Sequence, residues 1–314
     1  MKWHAAAQLT AWITLPVCLA QQAPSIHVDV RLINVSFTVR DDKGAFVTDL
    51  TKDDFEILDD GAPQAIAFFA RSTDLALSLG LVLDMSGSQE HFIKRHKHDL
   101  ETFLKTVLTQ RDNAFLLCFG NHLRLASDFS ASPKEIMEGL NQYDHRMSEV
   151  PELAALENRI EGTAFYDALY HSTIDKFGVK EGGRRAIVVF SDGEDNSSAH
   201  HMLDVIEAAQ NQNVVIFGMR YTETRKGRLT ARNKYGTSVI ERLGRETGGA
   251  DFDAEKDDMK KSFHEIEEQL RSTYELGYYA SPILRDGTFH KLAVRSKRPG
   301  VTVRAKTGYF ARVD

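Results

Sequence analysis

Apolar residues recur along this chain with two different periods, and the period changes twice. Between residues 27 and 73 they alternate. Val28, Val30 and Leu32 hold one phase, then Ile33, Val35, Phe37 and Val39 hold the other. Alternation predicts strands with one buried face, and a one-residue slip of phase predicts a β-bulge. Asp41-Asp42-Lys43-Gly44 marks a turn, and Thr51 with Asp54 has the spacing of a helix cap. Phe55–Leu58, Asp59-Asp60-Gly61 and Ile66–Phe69 predict a hairpin. So few strands bury too little to stand alone, so they need a partner elsewhere in the chain.

From Leu75 the pattern changes to continuous apolar runs separated by helical stripes. Leu75–Leu83, Ala114–Phe119, Ala186–Phe190 and Val214–Met219 read as strands buried on both faces. Helical spacing follows the first run (Phe92/Ile93, His96, Leu100, Phe103/Leu104, Val107/Leu108), precedes the third (Phe165, Ala168/Leu169, Ser172) and follows it (Met202/Leu203, Ile206, Ala209). A helix over Ser238–Thr247 closes at Gly248-Gly249, and Met259, Phe263, Ile266 and Leu270 stripe a last one. This order predicts an α/β domain over residues 75–273, doubly wound and Rossmann-like, with a mainly parallel sheet and helices on both faces.

Alternation returns over residues 274–314, with strands expected at Tyr274–Tyr279, Phe289–Arg295 and Val301–Tyr309 and turns at Arg285-Asp286-Gly287 and Arg298-Pro299-Gly300. Lys291, Arg295, Lys297, Arg298, Arg304 and Lys306 read as the solvated face of amphipathic strands. Pairing this segment with residues 27–73 makes a β-sandwich, split by the α/β domain. The segments 143–161 and 222–236 read as insertions bordering the core elements.

The first twenty residues carry a different signal. Lys2 precedes a mostly apolar stretch, and Cys18-Leu19-Ala20 offers small side chains before Gln21. This predicts a secretory leader cleaved after Ala20, placing the protein outside the cytoplasm, secreted or in the periplasm or cell envelope. An uncleaved anchor and a lipoprotein modified at Cys18 are the alternatives. The apolar run falls short of about 20 residues for a span, and Leu15-Pro16-Val17 lacks the small residue expected beside a lipidated cysteine. Without the leader 38 basic residues stand against 45 acidic ones, a net charge of −7. Such a balance argues against nucleic acid as a partner. Cys118 is then the single cysteine, within Phe115–Phe119, and reads as a small buried hydrophobe.

Candidate chemistry sits at strand ends. Ligands of open α/β sheets bind beyond the carboxyl ends of the strands, where strand order reverses. The first run ends in Asp84-Met85-Ser86-Gly87-Ser88, and the third in Ser191-Asp192-Gly193. Between them Gly162-Thr163-Ala164 opens a helix. Two carboxylates and three hydroxyls are hard oxygen donors, of the kind Mg²⁺, Mn²⁺ or Ca²⁺ prefers. Two of the hydroxyls also have an ordinary alternative, since Ser88 and Thr163 sit where N-caps occur. Among the histidines, His91, His96, His98, His200 and His201 show no zinc spacing and read as surface or packing residues.

Asp-x-Ser-x-Ser, a loop threonine and a strand-end aspartate, in that order on this pattern, resemble the metal-ion-dependent adhesion site of von Willebrand factor type A domains. The resemblance covers about two-thirds of the chain. It implies Asp84, Ser86, Ser88, Thr163 and Asp192 as metal ligands and Mg²⁺ as the cofactor, with Mn²⁺ or Ca²⁺ as alternatives. It also implies a protein partner whose Asp or Glu completes the metal shell, met at a rim of Gly87, Gly162, Gly193 and Glu194. In related domains ligation shifts the last helix, here about Asp257–Thr273. The flanks, including Leu50–Phe55, Asp60-Gly61 with Pro63-Gln64, Leu276–Tyr279 and Gly308-Tyr309-Phe310, resemble a secreted bacterial subgroup typical of acidobacteria.

The expected function is therefore a non-enzymatic, metal-dependent adhesion or protein-binding module. One alternative is a Mg²⁺-dependent phosphatase-like hydrolase. That chemistry needs a second aspartate two residues after the first, where this chain has Ser86, which is no proton donor at neutral pH. The other is a structural envelope protein whose site goes unused. No phosphate-binding loop, dinucleotide fingerprint or Gly-x-Ser-x-Gly elbow occurs.

Overall fold

The computed structural model describes residues 32–71, 75–154, 162–178, 183–224, 228–280 and 287–311. The expected leader, Val28, Val30, Arg225, Lys226 and the Arg285-Asp286 turn lie outside the described residues, and the bulge expected at the Leu32–Ile33 phase slip is not present, since β1 pairs with β11 in unbroken register from Leu32 to Phe37. All described elements belong to one unit, Arg31–Asp314.

The chain opens with β1 (Leu32–Asp41), β2 (Phe55–Asp59), β3 (Ala62–Gln64) and β4 (Ile66–Arg71). It then runs through β5 (Leu77–Asp84), α1 (Ile93–Val107), β6 (Asn113–Phe119), β7 (Leu123–Ser130), α2 (Pro133–Arg146), α3 (Phe165–His171) and β8 (Arg184–Ser191). After these come α4 (Met202–Gln212), β9 (Val214–Arg220), α5 (Ala231–Thr247), β10 (Asp251–Asp253) and α6 (Met259–Arg271). It closes with β11 (Tyr274–Tyr279), β12 (Phe289–Ser296), β13 (Val301–Ala305) and β14 (Gly308–Phe310).

The expected doubly wound sheet is present, in the order β10-β9-β8-β5-β6-β7, parallel except for β7. Successive residues of β5 face opposite ways. Leu81 and Leu83 pack with Leu100, Phe103, Ile136, Phe263 and Ile266 from α1, α2 and α6. Val82 packs with Phe165, Leu169, Val205, Val239 and Leu243 from α3, α4 and α5. This two-sided burial is why the central strands read as unbroken apolar runs.

Several expected elements differ. β7 and α2 were not anticipated. β7 is an antiparallel edge strand whose residues are mostly half-buried, so it lacks the continuous apolar signal of its neighbours. Part of each expected insertion is helical: Tyr143–Arg146 end α2, and α5 begins at Ala231 behind a Thr230 cap, far earlier than Ser238. The hairpin partner of β2 is β3, through the turn at Asp60 and Gly61, both at positive φ. Ile66–Arg71 crosses to the other sheet instead and pairs with β11. Val301–Tyr309 is likewise two strands, β13 beside β1 and β14 beside β12.

These crossings build two four-stranded sheets, β13-β1-β11-β4 and β14-β12-β2-β3. They share one core, in which Phe37, Phe55, Phe69 and Tyr274 stack and Ile57, Leu276, Tyr278 and Val294 fill the space around them. N- and C-terminal strands alternate in the first sheet, and in the second a C-terminal pair meets an N-terminal pair at β12 and β2, so both sheets need both segments. The α/β part leaves this sandwich after Arg71 and returns at Tyr274, and these two residues are register partners.

The sandwich meets the amino edge of the parallel sheet. Lys306, expected on a solvated face, is buried and donates to the carbonyl of Gln210 (2.8 Å) and to Asn213 Oδ1 (2.6 Å) at the end of α4. Arg304 donates to the Gly249 carbonyl (3.3 Å). At the same edge Asp112 accepts from the backbone N–H of Leu77 (2.8 Å) and of Thr109 (2.9 Å), and from both ends of the Arg271 guanidinium at 3.2 and 2.5 Å. It thereby ties the start of β5, the end of α1 and the end of α6 together. Burial alone raises the Asp112 carboxyl, but the hydrogen bonds from Arg271, Thr109 and Leu77 override it and bring it down to about 2.

A depressed folded-state value means that Asp112 contributes stability which is complete above the unfolded value near 4 and is lost as pH falls toward 2. Asp112→Asn is expected to lower unfolding free energy by about 2 kcal/mol at pH 7 and by much less at pH 2.5. Urea melts at the two pH values check this, and an equal loss at both would refute the ionic assignment.

Candidate metal centre

β5 is wholly buried from Leu77 to Asp84, so the carboxylate that ends it is delivered at the carboxyl edge without exposure to water. The last ladder bond is the Met85 N–H to the Phe119 carbonyl at the end of β6 (2.7 Å), and Gly87–Phe92 then turn as a 3₁₀ segment into α1. On the other side of β5, β8 ends at Ser191, and Asp192 follows. The first and third strand-end aspartates thus occupy adjacent strands at one edge.

Their contacts form one network. Ser191 Oγ donates to Asp84 Oδ2 (2.6 Å) and accepts the Gly193 N–H (3.0 Å). The Ser86 N–H donates to Asp84 Oδ1 (3.0 Å). Ser86 Oγ lies 3.2 Å from Ser88 Oγ, and Ser88 Oγ donates to Asp192 Oδ2 (2.8 Å). Gln89 Nε2 donates to the same oxygen (2.7 Å), and the Glu194 N–H to Asp192 Oδ1 (3.0 Å). Asp84, Ser86, Ser88 and Asp192 are therefore brought together.

Thr163 reaches the same edge through its backbone. The next residue, Ala164, donates to the carbonyl of Gly120, and a side chain at Gly120 would lie 3.7 Å from Ser86 Cα. Asn196 Oδ1 accepts the Thr163 N–H (2.6 Å), while the Thr163 carbonyl accepts from Asn196 and Ser197 (3.1 and 3.2 Å). The threonine loop is thus clamped to the loop that carries Asp192. Gly162, at φ 120°, leaves room for this clamp, since a Cβ there would stand 2.5 Å from Asn196 Oδ1.

The capping alternative fails for Ser88 and Thr163. The residue capping the 3₁₀ segment is Ser86, without a side-chain cap bond; α1 is capped by Phe92 and α3 by Ala164, again without one. Of the expected rim, Gly87 is exposed, Gly162 and Glu194 are half-buried, and Gly193 is buried. Gly193 sits beneath α5, where its Cβ would come within 2.5 Å of the Gly236 carbonyl oxygen. A side chain at Gly236 would in turn press on the Asp192 carbonyl at 2.2 Å. Glu194 is held by Asn233 Nδ2 (3.3 Å) at the start of α5, and burial followed by the Asp192 charge raises its carboxyl.

The electrostatics are unusual. Asp84 is completely buried and Asp192 is 2% exposed, and among the described residues neither has an ion-pair partner. Burial, followed by the charge of Asp192, pushes the Asp84 carboxyl up to about 7 despite the hydrogen bonds from Ser191 and Ser86. Two buried acids without a counter-charge, beside neutral hydroxyls, form a donor set chemically matched to a hard divalent cation.

The supporting residues Ser191, Gln89 and Asn196 were missed in the sequence, because a serine, glutamine or asparagine next to a motif is indistinguishable from loop polarity. Two long-range groupings were also missed, Asp167 with His171 and His200, and Asp59 and Asp60 with His290. In the first, Asp167 anchors a loop, accepting from the N–H groups of Ala199 and His200 and meeting His200 Nδ1 (2.7 Å), while His171 Nδ1 meets Asp175 (2.8 Å). His96 is fully buried beside Tyr221, and Cys118 is buried with its thiol raised, in keeping with packing roles.

No protein family and no curated protein matches the chain. Among solved structures it is similar to an aerotolerance-related membrane protein from Bacteroides fragilis NCTC 9343, at 14% identity and TM-score 0.46, over 62% of this chain and 98% of that one. BatB from Bacteroides thetaiotaomicron is similar at 18% identity and TM-score 0.44, over 62% and 97%. Proximal thread matrix protein 1 from the mussel byssus, described with a zinc-occupied MIDAS motif, is similar at 12% identity and TM-score 0.47, over 68% of this chain and 49% of that one.

A raised carboxyl reverses the usual acid dependence. Between pH 4 and 7 the folded protein keeps the Asp84 proton that the unfolded chain has released, so stability falls as pH rises through that window. In a chelating buffer, Asp84→Asn is expected to flatten this slope and to be more stable than the wild type at pH 8, by a few kcal/mol. Parallel stability curves for the two proteins between pH 4.5 and 8 would refute the burial of an uncompensated charge.

Proposed function

We propose that this protein is a divalent-cation-dependent protein-binding module of the von Willebrand factor A type, acting outside the cytoplasm and without catalysis. The reading rests on one observation: two buried carboxylates with no counter-charge share one network with the hydroxyls of Ser86 and Ser88, at an edge to which the Thr163 loop is clamped. A cation coordinated by Asp84, Ser86, Ser88, Thr163 and Asp192 removes the electrostatic conflict that the fold otherwise carries.

The bound ion, Mg²⁺ or alternatively Mn²⁺ or Ca²⁺, supplies a Lewis-acidic point of attachment for an oxygen of the partner. The protein's residues prepare that attachment. Asp84 and Asp192 contribute the negative charge, and the hydroxyls contribute neutral oxygens that leave the ion unsaturated in charge. Ser191 holds Asp84 and Gln89 holds Asp192 by hydrogen bonds, which orients both carboxylates for the ion. A carboxylate from a protein partner's Asp or Glu then binds at the exposed side, where Ser88 and Gly87 reach solvent and Glu194 borders the site. Metal and partner support each other by the same factor, as linkage requires.

Among the described residues no helix is long and apolar enough to cross a membrane. The expected leader supports placement in the periplasm, at the cell envelope or in the medium. Against the hydrolase alternative, Ser86 donates no proton at neutral pH and its hydroxyl is directed to Ser88.

Calorimetric titration is expected to show stoichiometric Mg²⁺ or Mn²⁺ binding that tightens as pH rises through 7 and Asp84 loses its proton. Asp84→Ala should abolish it while the fold persists, and Gln89→Ala should weaken it by roughly ten- to a hundredfold. Unchanged affinity in Asp84→Ala would sink the site. Partners captured from envelope material with Mg²⁺ should be released by EDTA. A Mg²⁺-dependent phosphatase activity lost in Asp84→Asn would favour the enzyme instead.

A further inference from the structure

The second grouping of acids and histidine lies in the sandwich, far from the carboxyl edge. Asp59 ends β2, Asp60 begins the turn to β3 at φ 49°, and His290 lies on β12, beside β2. Their ligand atoms all lie within 4.8 Å of one another. Asp60 Oδ2 is 2.9 Å and Asp59 Oδ1 3.8 Å from His290 Nδ1. For a tetrahedral ion with bonds of about 2.0–2.1 Å, neighbouring ligand atoms stand about 3.4 Å apart, between these two values.

One buried ligand atom of this group is left out of an otherwise complete hydrogen-bond network. Asp59 is 8% exposed; its Oδ2 accepts from Tyr278 Oη (2.7 Å) and Tyr309 Oη (3.0 Å), while its Oδ1, turned toward His290, has no hydrogen-bond partner. A buried carboxylate oxygen left without a donor is costly, so its orientation needs a cause. Asp60 Oδ1 is fixed by the Lys291 N–H (2.8 Å). The His290 ring stacks on Tyr309 at 5.1 Å, and its Nε2 lies 3.3 Å from Thr288 Oγ1. His290 Nδ1 hydrogen-bonds Asp60 Oδ2 (2.9 Å), so a cation entering the site takes the place of the Nδ1 proton between the ring and the two acids, and Nε2 then keeps a proton for Thr288. Two carboxylate oxygens and one imidazole nitrogen thus converge, held from behind by Tyr278, Tyr309, the Lys291 N–H and Thr288.

We propose that Asp59, Asp60 and His290 form a second cation site, of the three-ligand class that takes Zn²⁺ with an open fourth position. One nitrogen and two oxygens suit zinc better than the all-oxygen set at the carboxyl edge. Asp60 is exposed, so the ion reaches the site from solvent, and any proton on Nδ1 leaves to solvent as it binds. The site joins residues 230 positions apart, so zinc clips the N-terminal hairpin to the C-terminal strands of the split sandwich.

The test uses the full chain in the Asp84→Ala background, which removes the ligand set at the carboxyl edge, and titrates it with Zn²⁺ alone. The expected result is one equivalent bound with a rise in melting temperature, both weakened at least tenfold by Asp60→Asn or His290→Gln. Asp60→Asn guards against misfolding, because asparagine tolerates positive φ at an exposed turn. Co²⁺ in place of Zn²⁺ should give the intense visible band of a tetrahedral site in the parent and not in either variant. Zinc binding equal in parent and variants, or a natively folded parent that binds none, overturns the proposal.

Discussion

The return of the chain from the α/β domain is the constraint on which the rest depends. Arg71 leaves the sandwich and Tyr274 re-enters it as register partners on adjacent antiparallel strands, so everything between them must begin and end at nearly one point. Tyr274 secures that point with its ring in the Phe37, Phe55 and Phe69 cluster and its hydroxyl between the Leu50 N–H (3.0 Å) and the Val47 carbonyl (3.1 Å). Asp112 completes the junction from the other side, because it holds the start of β5 and the end of α6 together. With the amino edge of the parallel sheet committed to the sandwich, the carboxyl edge is left free for chemistry.

At that free edge the protein keeps charge where folding alone would remove it. Asp84 and Asp192 are buried close enough for one to raise the other, while Gln89, Ser191 and the serine hydroxyls hold them in place without neutralising them. The close approach of Gly193 and Gly236 lets α5 press on the same loop, so the position of Asp192 depends on a helix and not on the loop alone. A fold that tolerates such a conflict has its stability and its site in opposition, as expected where function sets the arrangement.

Much of this was legible in the sequence wherever one physical signal dominated. Burial on both faces made β5, β6, β8 and β9 continuous apolar runs, and the period of α1 and α6 followed from single stripes. Strand ends then located Asp84 and Asp192 without any knowledge of contacts. What was not legible depended on long-range pairing. β7 is half-buried and carries a mixed pattern. Ile66–Arg71 alternates as a hairpin partner of β2 would, yet pairs with a strand two hundred residues later. Val301–Tyr309 looks continuous because no strong breaker marks the switch between sheets at Lys306-Thr307. His290 shows no metal spacing because its acidic neighbours come from the opposite end of the chain. Hydroxyl roles were ambiguous for a different reason: caps and ligands use the same residues, and only side-chain direction separates them.

The shared point of departure and return also governs how the two parts lose order. When the α/β domain is folded, it holds the ends of β4 and β11 together, and the sandwich closes without a long loop. When it is unfolded, closing the sandwich around some two hundred disordered residues costs on the order of 5 kcal/mol in chain entropy, a large share of the stability of an ordinary domain. Dependence therefore runs in one direction: the sandwich borrows its cooperativity from the domain that interrupts it.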